Sequence, residues 1–418
     1  MCSKGPESLQ QGKGLCLLSL DGGGIRGLSS LYLLKKLMET VSSQNPPKSC
    51  QYFDMIGGTS TGGLIAIMLA RLEMSVDECI EAYKTMSPRI FTKLHHRITM
   101  KGKIQGRFRH TALEQAVQEL PQSRGLKKDE LLRKTGPNFC KTFVCATSKQ
   151  SGRTVILSSY LSQRRGRDSL DITPIWQAVR ATSAATSFFD PNIEIWNEEF
   201  IDGATPDNNP LMELWSEAHD VFSDPDDRSW NLENNVACMV SIGTGVPAAQ
   251  SFGDDLLQIG AKLVKIATDT EKVASDFAKH HPQLVRDGRY FRFNVDRGLE
   301  NIGLEEHARL GEIMAATRHY IQTEAVYRSM VLCSLGLSNK HSPEKNYLFA
   351  CNESESEGLR ALRLKADQVA TLFDVNPSSE VLSVQFLPCG RDTRVPVRQE
   401  RPRYMLRMRI ARKLASEK

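Results

Sequence analysis

None of the ten cysteines forms a C-x-x-C pair, and none stands at a zinc-binding spacing from a histidine. A zinc ribbon or a thioredoxin-type redox motif is therefore excluded. Cys16 and Cys145 instead sit inside apolar runs, as reduced, buried thiols do, which points to an intracellular, reducing compartment. The opening MCSKGPESLQQGKG lacks the apolar stretch of a secretion signal. No strongly apolar run approaches the ~18 residues that a membrane-spanning helix requires. Internal repeats and long low-complexity tracts are missing too. These absences predict a cytoplasmic chain whose contact with membranes, if any, is peripheral.

A basic face is also lacking over most of the chain. The 418 residues carry a net charge of +5, but the last 28, from Arg391, hold ten Lys/Arg against three Asp/Glu. That local balance of +7 leaves the other 390 residues near −2. Nucleic acid is not an expected partner, because a nucleic-acid-binding fold normally carries its basic stripe within the fold. With 40% hydrophobic and 25% charged residues the chain is ordinary globular material. Its length allows one large domain plus an appendage, or two domains.

LCLLSL (15–20) is a short continuous apolar run, which fits a strand buried on both faces of a parallel sheet. DGGGIRG follows it, then LSSLYLLKKLME with helical spacing. YFDMIGG, a turn at Ser60 and GGLIAIMLARL repeat strand, turn and helix. KTFVCAT (141–147) and RTVILSS (153–159) read as strands, and TPIWQAVRATSAA as a helix. IEIWNEEFIDGA (193–204) is strand-like up to a turn, and NNVACMVSIGTG (234–245) is a strand ending in glycines. Strands alternating with helices predict an α/β fold with a mostly parallel central sheet flanked by helices. Ligands of such sheets bind at the carboxyl ends of the strands, so the glycine turns share one candidate crevice.

Three motifs carry candidate chemistry. Ser60 lies between Gly58 and Gly62 in a G-x-S-x-G pattern ahead of a helix. A serine at a sharp strand-to-helix turn exposes its hydroxyl at the sheet edge, near the positive end of the helix dipole. An N-cap serine would occupy the same place, and the motif alone does not separate the two. In DGGGIRG, Gly22, Gly23 and Gly24 offer backbone N–H groups to a phosphate or an oxyanion. Gly22, Gly24 and Gly27 also match G-x-G-x-x-G. A dinucleotide fold would place an acid about 20 residues further on. The segment there, VSSQNPPKSC, has none, so a nucleotide cofactor is not expected. The third motif, FIDGATPDNNP, puts Asp202 and Gly203 at a strand end, where the carboxylate is either a base for Ser60 or a turn residue. Of the nine histidines, His219 and His319 fall in helical patterns and none marks a strand-end turn. A Ser-Asp dyad therefore fits better than a triad.

DGGGIRG, GTSTG and DGA, in that order and each after a strand, resemble the patatin-like phospholipase family. AVRATSAATSFF, from Ala178, is similar to a further family segment, with Thr186 where a proline is usual; SIGTG (241–245) and DNNP (207–210) are also family-like. The resemblance covers roughly residues 13–330. It implies a three-layer patatin-like fold and a lipid acyl hydrolase acting on phospholipids or related acyl lipids. By position it implies Ser60 as nucleophile, Asp202 as base and Gly22–Gly24 as oxyanion hole, with Gly23 and Gly24 the stronger donors. Arg26 is the motif's basic residue, orienting the loop or favouring anionic groups. No metal or other cofactor is implied. A regulated lipid-sensing module and a soluble carboxylesterase acting on small esters are the competing readings.

Residues 331–418 read as a C-terminal appendage, partly helical over CNESESEGLRALRLKADQVATLFDV, with a basic tail. The segment 88–110 contains seven Lys/Arg and no Asp/Glu, interleaved with Ile90, Phe91, Leu94, Ile98, Met100, Ile104 and Phe108. It suits either an anionic lipid surface or a solvated segment whose apolar side chains pack inward.

Overall fold

The computed structural model describes residues 14–92, 108–136, 138–162, 164–165, 172–184, 189, 193–201, 208–223, 227, 229–246, 257–339, 345–351, 380–388 and 404–412. The chain divides into two compact units, Met1–Leu337 and Ser338–Lys418.

The first unit has eight strands among the described residues: the apolar runs expected from the sequence form them, except that the run 193–204 splits into two and the strand Tyr290–Phe293 is not among the expected runs. The eight are β1 (Leu15–Leu20), β2 (Met55–Thr59), β3 (Lys141–Ser148), β4 (Thr154–Ser158), β5 (Ile193–Ile195), β6 (Glu198–Ile201), β7 (Val236–Ile242) and β8 (Tyr290–Phe293). Their order across the sheet is β5-β6-β3-β2-β1-β7-β8, with β4 also on β3. The five strands from β3 to β8 run parallel. Antiparallel pairing is confined to the β3–β4, β3–β6 and β5–β6 contacts. β5 and β6 form a hairpin whose two turn residues, Trp196 and Asn197, both have positive φ, 55° and 62°. Such a pair matches the twist of the flanking strands.

The central strands β1, β2, β3 and β7 are buried almost throughout because both faces are covered. From β1, Cys16, Leu18 and Leu20 enter one core and Leu17 the other. The first core is packed by α1 (Gly27–Val41), α3 (Thr61–Ala66) with its π-helical continuation Ile67–Arg71, α4 (Val76–Ile90), α5 (His110–Gln122) and α6 (Ile175–Thr182), the short α2 (Ser49–Tyr52) lying between α1 and α3 in sequence. The second is packed by α7 (Leu211–Phe222), the short α8 (Leu232–Asn235), α9 (Leu257–His280) and α10 (Pro282–Arg286). Helices α11 (Leu310–Ile321) and α12 (Glu324–Asn339) complete the first layer through Ile313, Met330 and Cys333. This is a three-layer α/β sandwich with a mostly parallel sheet, as the sequence pattern predicts.

Within the basic segment, residues 93–107 lie outside the described residues, and with them Leu94, Ile98, Met100 and Ile104. Ile90 and Phe108 are buried, and the rings of Phe91 and Phe108 meet edge to face with centroids 5.5 Å apart. These three apolar side chains therefore pack inward. No helix among the described residues is long and apolar enough to cross a membrane.

The second unit contains β9 (Lys345–Cys351), β10 (Glu380–Pro388) and β11 (Tyr404–Arg412). They form an antiparallel sheet of order β10-β11-β9, with Leu406 opposite both Phe386 and Phe349. The helix expected after Cys351 lies outside the described residues.

Candidate active site

β1, β2 and β7 are neighbours in the sheet and run in the same direction. Their carboxyl ends therefore deliver three turns to one place: Asp21–Gly24, Ser60 and Gly243–Gly245.

Ser60 links β2 to α3 and has φ 52° and ψ −121°. A serine N-cap normally has extended backbone and accepts a hydrogen bond from the first helical turn. Ser60 does neither, since its side chain makes no cap hydrogen bond. The positive φ of a non-glycine residue costs about 1–3 kcal/mol and persists only where surroundings enforce it. Two hydrogen bonds do so: the Ser60 N–H donates to Thr182 Oγ1 at 2.8 Å, and the Ser60 carbonyl accepts the Leu64 N–H at 3.0 Å. Thr182, fully buried at the end of α6, donates in turn to the Cys145 carbonyl at 2.5 Å.

The flanking glycines answer a steric demand. A Cβ on Gly58 would lie 2.2 Å from the Gly62 carbonyl oxygen, and one on Gly62 would lie 2.2 Å from that of Leu20. The helix start is thus pressed against the ends of β1 and β2, which aims its N-terminus at the Ser60 turn. Ser60 keeps partial exposure while Thr59 and Gly62 on either side are buried.

The glycine loop lies against this turn. A Cβ on Gly22 would sit 3.2 Å from Ser60 Cβ. The Gly22 N–H is already committed, donating to the Asn208 carbonyl at 3.0 Å. The N–H groups of Gly23 and Gly24 have no partner among the described residues, whereas the Ile25 N–H donates to the Leu304 carbonyl at 2.8 Å. Among the described residues, the donors of the loop left without a partner are therefore those of Gly23 and Gly24. Gly24 has φ +54° with the Leu304 carbonyl 2.3 Å from any Cβ, so only glycine fits there. Its own carbonyl accepts from Tyr83 Oη at 2.5 Å and Thr61 Oγ1 at 3.1 Å.

Asp21 opens the loop. Its buried carboxylate is gripped by Arg292 of β8, with Nη2 to Oδ2 at 2.6 Å and Nη1 to Oδ1 at 3.1 Å. Arg292 also donates to Ser241 Oγ and to Glu271. Burial pushes the Asp21 carboxyl up to about 6, against the opposing pull of Arg292. Arg292 stays cationic, because the two carboxylates around it outweigh its own desolvation. Arg26 is 2% exposed, and its Nε and Nη1 atoms have no hydrogen-bond partner among the described residues. Burial lowers it to about 10, so it remains charged at neutral pH.

Asp202 and Gly203 lie outside the described residues. The chain on either side is fixed: Ile201 pairs with Thr147 near the end of β3, and Asn208 hydrogen-bonds Gly22. No histidine hydrogen-bonds Ser60 among the described residues; His219 lies in α7 and His319 in α11. Sequence reasoning assigned no role to Thr182, Asn208, Thr244 or Arg292. The first three lie in segments read only as a helix, a turn and a strand end or for their family likeness, and Arg292 is one arginine among many in the sequence.

Residues 18–215 match the family model described as patatin-like phospholipase. The chain is 28% identical over 336 residues to the human calcium-independent phospholipase A2-gamma, covering 75% of this chain and 39% of that protein. It is 27% identical over 369 residues to phospholipase A I of Arabidopsis thaliana, covering 74% and 27%. The chain thus spans well under half the length of these relatives. The solved structure of VipD from Legionella pneumophila overlaps it weakly, with a TM-score of 0.32 and 12% identity over 74% of this chain and 67% of that one. The turns that carry Gly22–Gly24 and Ser60 fall inside the span, residues 18–215, that matches the patatin-like phospholipase model.

Proposed function

We propose that the chain is a lipid acyl hydrolase of the phospholipase A type. The observation that carries this reading is the Ser60 turn, strained to φ 52° without serving as a cap, beside a loop with two uncommitted N–H groups. Ser60 Oγ attacks the ester carbonyl of a glycerolipid while Asp202 takes the hydroxyl proton. The N–H groups of Gly23 and Gly24 receive the oxyanion, each donor worth about 3–4 kcal/mol of barrier. The tetrahedral intermediate expels the lyso-lipid alkoxide, which takes the proton from Asp202. Water, activated by the same carboxylate, then hydrolyses the acyl-serine and restores the hydroxyl. Backbone donors supply the electrophile, so this route calls for no metal ion or cofactor. The family match and the phospholipases among the relatives support a lipid ester as substrate.

The test is acyl release from mixed phospholipid vesicles in excess calcium chelator, comparing wild type with Ser60→Ala and Asp202→Asn. Release by wild type alone is expected, and the products identify the ester bond cut. Full activity of Ser60→Ala would sink the proposal.

A further inference from the structure

We infer that Thr244 and Asn208 are positioning residues for the oxyanion hole, acting through the carbonyl of Gly22; the inference rests on the hydrolase reading above. That carbonyl accepts two hydrogen bonds, from Thr244 Oγ1 at 2.9 Å and from Asn208 Nδ2 at 3.2 Å. Both side chains are about 95% buried. The peptide joining Gly22 to Gly23 is planar and trans, so its C=O and N–H point in opposite directions. Pinning the carbonyl on one side therefore aims the Gly23 N–H on the other.

The loop alone does not set this direction, because glycines leave the backbone dihedrals free. The two preceding peptides are held as well, by Asp21 N–H to the Ile242 carbonyl and Gly22 N–H to the Asn208 carbonyl, both at 3.0 Å. Thr244 further occupies the space over Gly23, where a Cβ would lie 2.0 Å from its Oγ1. A carbonyl that accepts two hydrogen bonds also polarises its peptide, which makes the N–H on the far side a stronger donor. The SIGTG and DNNP segments thus act on the Gly23 N–H rather than on the substrate.

The experiment is the rate of Ser60 phosphonylation by an alkyl fluorophosphonate, read by mass spectrometry of the peptide containing Ser60. In this reaction Ser60 Oγ bonds to phosphorus, fluoride leaves and the base takes the proton. It needs the oxyanion donors but no particular lipid. Ser60→Ala serves as the blank. Thr244→Val is expected to slow labelling by about 10–100-fold, short of the full loss of a donor. Thr244→Ser, which keeps the hydroxyl, should stay within about threefold of wild type. In acyl release the Val variant should lose kcat with KM held within about twofold, since a group acting on the transition state leaves ground-state binding alone. Should Thr244→Val fail to fold, Asn208→Ala carries the same test, because it keeps the backbone carbonyl that takes the Gly22 N–H. Labelling of Thr244→Val and Asn208→Ala at the wild-type rate overturns this inference alone, as does a Ser variant as slow as Val. A wild type that is not labelled at Ser60 overturns the hydrolase reading and this inference with it.

Discussion

Replacing Thr182 by valine removes one oxygen and leaves the shape of the side chain. That oxygen accepts the Ser60 N–H and donates to the Cys145 carbonyl from a fully buried position. Valine can do neither. A buried donor left without its acceptor costs about 1–3 kcal/mol, so a stability loss of ~2 kcal/mol is expected. The Ser60 turn is also strained, by about 1–3 kcal/mol for a residue in that region of backbone space. One of the two hydrogen bonds holding it goes with the Thr182 hydroxyl. A shift of 1–2 kcal/mol in favour of a relaxed turn lowers the population of the attacking geometry by roughly 5–30-fold. The signature is a fall in kcat of that size, with KM little changed, and a lower urea midpoint. Thr182→Ser should recover most of both. A valine variant with wild-type kcat and a stability within about 0.5 kcal/mol of wild type would refute the claim that this hydroxyl holds the turn.

Two further outcomes follow from the geometry and a third from the charge of the sequence. Gly62→Ala places a Cβ against the Leu20 and Asp21 carbonyl oxygens, 2.2 and 2.6 Å away. Backbone must shift there, so a loss of more than ~2 kcal/mol together with activity is expected, against about 1 kcal/mol for Gly125→Ala, which meets open space at positive φ; equal losses in chemical denaturation would contradict it. Asp21 has a folded-state value of about 6, above the usual carboxylate range, because of burial. Its contribution to stability is therefore full below about pH 4 and lost as pH rises through 6, by at most about 3 kcal/mol. The stability difference between wild type and Asp21→Asn should widen in favour of wild type from pH 7 to pH 4, and a difference flat across that range would be wrong for this mechanism. If the basic segment 88–110 touches lipid, vesicle binding should rise with anionic lipid and fall with salt, and charge-neutral variants within 93–107 should abolish both trends. Binding indifferent to lipid charge and salt would remove that role.

Much of the fold was legible because a parallel sheet covered on both faces writes itself as short, uninterrupted apolar runs, as LCLLSL does. The glycines of both motifs were legible for a related reason: each marks a close backbone approach that no other residue permits. The antiparallel flank was harder to read. β3 takes β2 on one side and both β4 and β6 on the other, and strand composition carries no record of partner or direction. The groups that brace the site were hidden for the same reason. Thr182, Asn208 and Thr244 act through hydrogen bonds to residues 37 to 222 positions away in sequence, and such pairings arise only once the sheet has assembled. The three-stranded sheet of residues 345–412 was masked by a basic, proline-bearing composition that reads as a tail.

The neighbour relation of β1 and β7 bears on how the chain can be shortened. The family match stops at residue 215, but β1 is paired along its whole length with β7, which begins at Val236. A chain cut at 215 would turn a central strand buried from Cys16 to Leu20 into a naked sheet edge, with Leu15–Leu20 presenting a row of unpaired N–H and C=O groups among mostly apolar side chains. Such an edge is a template for pairing with a second copy. Truncation at that point is thus a route to insoluble aggregate, and the smallest soluble piece has to run past Ile242 and keep β8, which flanks β7 in the intact sheet.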